Sequence, residues 1–353
     1  MAGRQTRRAV IAAVVVVLLV GAALWVGTRD RSEKVVSSLL YPALAEQVKA
    51  AERVQVFASG EQLTLDLRRS GDRWSIAQRD GYPADVGKVG VLLQNLAELK
   101  ILEAKTADPA NYAAIGVEDL SAPNAQGARL VVTGPGNAEL TNLIVGKSAS
   151  GLEATYVRKA GESASWLVNR LPLTRTPGTW LSPLVIHVDT DRIQQATIRI
   201  AGKPEVVLTK AERGTPNFAA SGKPLSAPSA ANGVAAGLIA VEAEDVQQST
   251  ALANQTAAAR ATYRMFDGLE LELTGWIIDG NYWLAVAPSF NEKLARRFAN
   301  DQLPENANTA FSRTPDQARQ EAERVGERVT SWVYRIASYR YEGIFPNAED
   351  WRR

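Results

Sequence analysis

The stretch from Arg53 to Thr106 constrains the fold most: it reads as one supersecondary unit, and a worn copy follows about 140 residues later. Leu63, Leu65 and Leu67 alternate with Thr64, Asp66 and Arg68. Period two predicts a strand with the leucines on one face and the polar residues on the other. Ser70-Gly71-Asp72 supplies turn chemistry, and Trp74 and Ile76 resume the alternation, so a β-hairpin is expected. After the break at Gly81-Tyr82-Pro83, Asp85 can cap a helix. Val89, Leu92, Leu93, Leu96 and Leu99 then fall at helical spacing and form one apolar stripe. Ile101 to Thr106 returns to extended character.

The copy starts near Trp180. Leu40-Tyr41-Pro42 is echoed by Leu181-Ser182-Pro183, and Arg53-Val54-Gln55 by Arg192-Ile193-Gln194. Gly71 to Trp74 is echoed by Gly214 to Phe218, and Leu99 to Ala104 by Leu238 to Ala243. The matches are collinear, which predicts hairpin, helix and following strand in the same order twice. Two copies fall short of a solenoid, which needs at least about three units.

Ahead of the first copy, Ala9 to Gly27 carries no charge. At about 1.5 Å per residue it spans about 28 Å, close to the hydrocarbon thickness of a bilayer. Arg4, Arg7 and Arg8 precede it, whereas Arg29, Asp30, Arg31, Glu33 and Lys34 nearly cancel beyond it. The positive excess predicts a cytoplasmic N-terminus, a retained transmembrane helix and an extracytoplasmic remainder. Gly21-Ala22-Ala23 offers a signal-peptidase site, but the apolar run continues through Leu24-Trp25-Val26, beyond a usual signal core. No cysteine is present, which removes disulfides, thiol nucleophiles and lipoprotein anchoring. Lys plus Arg exceeds Asp plus Glu by 40 to 38 without an extended basic face, so nucleic acid is not an expected partner.

The expected organisation is a cytoplasmic tail (1–8), a transmembrane helix (9–27), a partly helical lead-in (28–52) and a first module (53–179). A diverged second module (180–311) and a C-terminal helix and strand completing it (312–353) follow. The fold class is α+β: an N-terminal transmembrane helix and two tandem, related β-rich modules, each with a packed helix. In the first module, strands are expected over Arg129–Thr133, Leu140–Val145, Thr155–Lys159 and Ser165–Asn169. In the second, Arg213 to Gly233 reads as a loop, Val234 to Ile239 as a short helix, and Phe290 to Phe298 as a helix. Asp279-Gly280 joins two strands as a tight hairpin. Thr314-Pro315-Asp316 opens a helix, and Trp332, Tyr334 and Ile336 alternate as a strand expected to add near Leu269–Leu273 or Tyr282–Val286.

Motifs with chemical potential are sparse. His187 is the only histidine, with Asp189 and Asp191 nearby, but neither nucleophile nor metal partner accompanies it; an exposed or strand-edge position is expected. Gly146-Lys147-Ser148 matches the end of a phosphate-binding loop, yet Thr141 stands where the first glycine belongs, so a plain turn is expected. Glu242, Glu244 and Asp245 fit no calcium-loop spacing and read as a solvated strand end. Trp166, Trp276, Trp283 and Trp332 recur on strands as core or interface residues. No catalytic, metal-binding or cofactor-binding residue is expected.

Several runs carry a resemblance: Asp80-Gly81-Tyr82-Pro83-Ala84-Asp85, Glu103-Ala104-Lys105-Thr106, Gly116-Val117-Glu118-Asp119 and Ile144-Val145-Gly146-Lys147. Tyr156-Val157-Arg158, Ser165-Trp166-Leu167-Val168 and Trp332-Val333-Tyr334-Arg335-Ile336 complete it. In this order the chain resembles the bacterial DUF4340 family over nearly all of its length after the anchor. The resemblance implies a protein of the bacterial inner membrane with its bulk in the periplasm, similar to accessory components of ABC-type transporters and of gliding-motility-like systems. The expectation is therefore a non-enzymatic binding or scaffold protein. Its partners would be the lipid bilayer through Ala9–Gly27 and an ABC transporter membrane subunit or another envelope protein. The alternatives are a module capturing a small ligand or polymer, and an envelope hydrolase.

Overall fold

The computed structural model describes residues 38–222, 224–299 and 313–351. The expected anchor, Ala9 to Gly27, and the polar stretch between Ala299 and Arg313 lie outside the described residues. Among the described residues no helix is long and apolar enough to cross a membrane.

The chain enters through a one-turn helix α1 (Leu44–Gln47) and builds β1 (Arg53–Ala58), β2 (Gln62–Ser70), β3 (Arg73–Ile76) and β4 (Tyr82–Pro83) as successive hairpins. Helix α2 (Val86–Ala97) follows, capped by Asp85, whose carboxylate accepts from the Lys88 amide at 3.2 Å. It buries Val89, Leu92 and Leu96 and leads to β5 (Ile101–Ala104). After a one-turn helix α3 (Tyr112–Ile115), β6 (Ala128–Thr133), β7 (Glu139–Ser148), β8 (Ala154–Lys159) and β9 (Ser165–Asn169) form a meander. The sheet order is β4-β3-β2-β1-β6-β7-β8-β9-β5. Helix α2 thus carries the chain from one edge of the sheet to the other, across its buried face.

The second half runs β10 (Leu184–Ile186), β11 (Ile193–Ile200), β12 (Val206–Thr209), β13 (Ala219–Ala220), α4 (Gly233–Ala236), β14 (Val241–Glu242) and β15 (Asp245–Gln248). Then come β16 (Ala259–Met265), β17 (Leu269–Ile278), β18 (Asn281–Phe290), α5 (Glu292–Arg297), α6 (Pro315–Val329), β19 (Trp332–Ile336) and α7 (Ser338–Ile344). The order of its main sheet is β13-β12-β11-β16-β17-β18-β19-β15, with β10 and β14 forming a separate two-stranded ribbon. Set β1–β3 against β11–β13, β5 against β15, and β6–β9 against β16–β19, and the two orders coincide. The β4 edge strand is the one addition in the first sheet. Hairpin, helix and following strand therefore occur in the same order in both halves.

β19 pairs with β18, Leu284 opposite Tyr334, and with β15, Val246 opposite Tyr334. The expected addition beside Tyr282–Val286 is thus found. Helix α6 starts with a reciprocal cap: Thr314 Oγ1 accepts from the Gln317 amide, and Gln317 Oε1 accepts from the Thr314 amide. It packs Ala318, Ala322 and Val329 onto the buried face of β17 and β18.

Several expectations need correction. Leu63 does not join Leu65 and Leu67 in the core: it is 38% exposed while they are fully buried. Pairing between β1 and β2 shifts where Val56 faces Leu65 and Phe57 faces Leu63, so that Thr64 is an extra residue in β2 and the strict alternation breaks there. Asp66, expected on a solvated face, is 1% exposed because Arg53 and Arg68 close over it at 2.7 and 2.8 Å. Gly146-Lys147-Ser148 is no turn but the irregular end of β7, where pairing to β8 slips between Val145 and Ser148. The second helix is shorter than expected, Gly233–Ala236, and Phe290 ends β18 rather than opening a helix. The echo of Leu99 by Leu238 is real in position, since the Leu40 amide donates to Leu99 O and the Val188 amide to Leu238 O. Beyond it the register drifts: Ala240 takes a positive φ of 47°, β14 pairs with β10, and only Asp245 begins the counterpart of β5. Helix α7 and the turn Ala348–Trp351 follow the last expected strand. They carry Tyr341, Phe345 and Trp351 into the core, a segment whose short apolar runs lack a long helical period.

The two sheets share one apolar core. Leu65, Trp74, Leu92 and Leu130 from the first half join Leu208, Leu273, Tyr334 and Ile344 from the second in a single contiguous cluster. The halves meet along the β4 and β15 edges. Chain from Trp180 to Ser182 hydrogen-bonds along β4, with the Asp85 amide donating to Trp180 O and the Ser182 amide to Pro83 O. Tyr82 stacks edge-on against Trp332 at 5.0 Å and Tyr334 at 6.1 Å. Arg79 makes a two-pronged bond to Asp245, at 2.5 and 2.9 Å. Both otherwise open edges are thereby covered, which removes a site for edge-to-edge aggregation. Arg79→Ala is expected to cost about 1.5–3 kcal/mol, the range for a charge-assisted bond with partial burial. A double-mutant cycle with Asp245→Ala checks it; additive losses would show that the two side chains do not support each other.

Candidate interaction surfaces

The sequence motifs do not converge on one site. His187 lies just past β10 with its side chain 43% exposed; its Nδ1 accepts from the Ala240 amide at 3.1 Å, and Nε2 lies 3.4 Å from Asp189. Its place is that of a brace for the strained Ala240 turn. Lys147 extends away from its glycine and donates from Nζ to Ala113 O and Ala114 O, closing the end of α3. Glu244 pairs with Arg335 at 3.6 Å and Asp245 with Arg79. The acidic run is therefore split between two partners, and Asp245 belongs to the joint between the halves rather than to a solvated end. Trp276 and Trp283 face each other across β17 and β18 and form a small outer cluster with Leu252 and Val333. Trp332 faces the other way, onto Tyr82.

Buried Arg158, Arg192 and Asp66 are engaged in structural pairs. Arg158 stacks on the Tyr112 ring at 4.6 Å and donates to Val117 O, Glu162 O and Asp119. Arg192, 5% exposed, donates from Nε to Asp267 at 2.8 Å and in a fork to Glu321 at 3.0 and 2.8 Å. Burial works against its charge, but Glu321 and Asp267 outweigh that and hold its pKa above the ordinary value. Burial alone would raise Asp66; the bonds from Arg53 and Arg68 reverse this and keep its pKa low. Lys210 is the contrasting case. Burial lowers its pKa, Asp191 opposes weakly, and the ammonium rests 4.9 Å from the centre of the Phe218 ring.

An open groove runs along one end of the second sheet. Its two lobes, about 650 and 390 Å³, share Ile200, Lys203, Pro346 and Asn347. One wall is the turn between β11 and β12, where Gly202 takes a φ of 75°; the other is α7 and the Ala348–Trp351 turn. Tyr341 anchors that wall, its ring 5.1 Å from Tyr282 and 4.8 Å from Phe345. Gly275 makes this packing possible: a Cβ there would lie 2.6 Å from the Phe345 ring and 2.7 Å from Tyr341. Tyr263 holds the end of α7 by donating to Ile344 O at 2.8 Å, and Ser226 donates to Trp351 O at 2.8 Å. Sequence reading missed this surface because its parts come from two turns and the C-terminal segment. The Tyr341-Glu342-Gly343-Ile344-Phe345 run was its one visible signal.

Burial pushes the Tyr341 hydroxyl up to about 12, with Tyr282 adding to the rise, and the oxygen has no hydrogen-bond partner among the described residues. A tyrosine whose folded pKa exceeds its unfolded value favours folding below pH 10, and that contribution is lost as pH rises from 10 towards 12. Tyr341→Phe removes an unpaired polar atom without changing the ring. It is expected to leave stability equal or raise it by up to about 1 kcal/mol at pH 7, and to reduce the alkaline loss. Thermal midpoints across pH 7 to 12 check this; a clear loss at pH 7 would mean the hydroxyl has a partner in solution.

These features define an α+β protein of two antiparallel sheets on a shared core. The chain belongs to a family described as a domain of unknown function, DUF4340, whose model matches residues 74–265, more than half of the chain. The match starts in β3 and ends with β16, so it crosses the joint between the halves. It is narrower than the resemblance, and leaves the Trp332–Ile336 run outside. No curated protein and no solved structure was found to match the chain.

Proposed function

We propose that this is a non-enzymatic scaffold or binding protein, held to the bacterial inner membrane through Ala9–Gly27, with its two sheets in the periplasm. In this reading the halves are related modules, and the partner is an envelope protein such as a membrane subunit of an ABC-type transporter. The observation that carries the reading is the joint itself. A ligand-capturing protein of two modules needs a cleft between them, and here that space holds Tyr82, Trp332, Tyr334 and the Arg79–Asp245 pair. The fold thus supports fixed outer surfaces rather than closure on a small molecule. The pairing of buried Asp66, Arg158 and Arg192 with structural partners supports a contact role over hydrolysis, which requires converging acid–base groups. The anchor rests on the length of the apolar run and the arginine asymmetry before it.

Crosslinking in native membranes, followed by mass spectrometry of the captured protein, tests the reading. A transporter or envelope subunit recovered reproducibly is expected. Recovery of the chain without any protein partner would contradict it. C-terminal reporter fusions test the placement: activity only outside the cytoplasm is expected, and a mature N-terminus beginning after Ala23 would remove the anchor.

A further inference from the structure

The groove beside α7 has a composition that selects its occupant. Its floor is apolar and aromatic, with Ile200, Val206, Tyr282, Phe345 and Pro346, and Ile277 stands at its mouth 53% exposed. Its rim is acidic. Glu342, Glu349 and Asp350 are exposed and make no ion pair among the described residues, while Glu205 is engaged by Arg199. Among the described residues, Lys203 is the single cation lining either lobe. An occupant with apolar side chains alone would leave three carboxylates unanswered; an anionic one would be repelled.

We propose that this groove binds a cationic, apolar peptide segment of a partner protein. Leucine- or aromatic-type side chains would fill the two lobes, and flanking Lys or Arg would meet Glu342, Glu349 and Asp350. The groove lies open along one side and continues through two lobes, a shape that accepts a chain passing through; small-molecule sites enclose most of their ligand. Burial of apolar side chains supplies affinity, and the acidic rim supplies selectivity and a faster encounter. The proposal rests on the reading of the chain as a partner-binding protein and names the chemistry of what it binds.

The test uses the full-length chain immobilised for surface plasmon resonance. The probes are three synthetic peptides of equal length: alternating leucine–lysine, leucine–serine and leucine–glutamate. The leucine–lysine peptide is expected to bind at least about tenfold more tightly than either control, and more weakly as salt rises. The triple variant Glu342→Lys, Glu349→Lys, Asp350→Lys should lose about tenfold or more for that peptide and gain for leucine–glutamate. These side chains are exposed and make no ion pair among the described residues, so its thermal midpoint should stay unchanged. Ile277→Ser, a separate single variant, should weaken leucine–lysine binding without altering the charge preference. Equal binding of all three peptides overturns the proposal, as does leucine–lysine binding that the folded triple variant retains. Crosslinking of the triple variant in native membranes separates the two readings. Continued capture of an envelope subunit alongside a failed peptide test leaves the scaffold role standing and removes this groove from it.

Discussion

Arg192→Met should destabilise the protein by about 3–5 kcal/mol, a large share of the roughly 5–15 kcal/mol that holds a typical domain together. Methionine keeps much of the stem volume, so the loss isolates the charge. Asp267, 1% exposed, would lose its cation and retain only the Leu269 amide at 3.2 Å, while Glu321 is 17% exposed and can turn to water. A buried carboxylate without a counter-charge is among the costliest defects a fold can carry. Adding Asp267→Asn to the same chain should recover much of the loss, because the second change removes the stranded charge. Chemical denaturation of the single and double variants measures both. If the single variant loses under about 1 kcal/mol, the site is wetter than its burial indicates.

Tyr334→Ala should cost about 3–5 kcal/mol, the range for emptying a large aromatic site in a core. Tyr334 is fully buried and lies at the centre of β19, flanked by Leu284 on β18 and Val246 on β15, with Tyr82 of the first half against its ring. One truncation therefore loosens both the second sheet and the joint. Trp332→Ala should cost less, about 1–3 kcal/mol, because Trp332 is half-buried and loses chiefly its edge-on contact with Tyr82. Thermal unfolding of the two variants gives the ranking directly. An equal or reversed order would mean that Trp332, rather than Tyr334, holds the strand.

What was legible in the sequence was what local pattern determines. Period-two leucines, the Asp85 cap and the Thr314-Pro315-Asp316 opening located strands and helices, since each signal lies within a few residues. The collinear echoes anticipated the repeated strand order. Arg53 and Arg192 show where legibility ends. Arg53 opens β1 and Arg192 directly precedes its topological counterpart β11, and both engage an aspartate, yet one partner is Asp66 on the adjacent strand and the other is Asp267, a turn 75 residues on. The two echoed positions share the cation and not the source of its counter-charge. Asp245 was unreadable for the same reason, since Arg79 lies 166 residues away. The groove was hidden because apolar residues at two turns and on α7 become neighbours only after β19 has joined the sheet.

Native-state hydrogen exchange, read by mass spectrometry, tests most directly the claim that the halves form one rigid scaffold. Joined by Tyr82, Tyr334 and the Arg79–Asp245 pair, the core strands of both sheets should open only in global unfolding. The amides of β1, β6, β16 and β17 should then share one opening free energy, and Arg79→Ala should lower it in both halves together. Strands of one sheet exchanging at a markedly lower free energy than those of the other would contradict this: the halves would then open independently, and a clamp closing on a ligand would replace the scaffold.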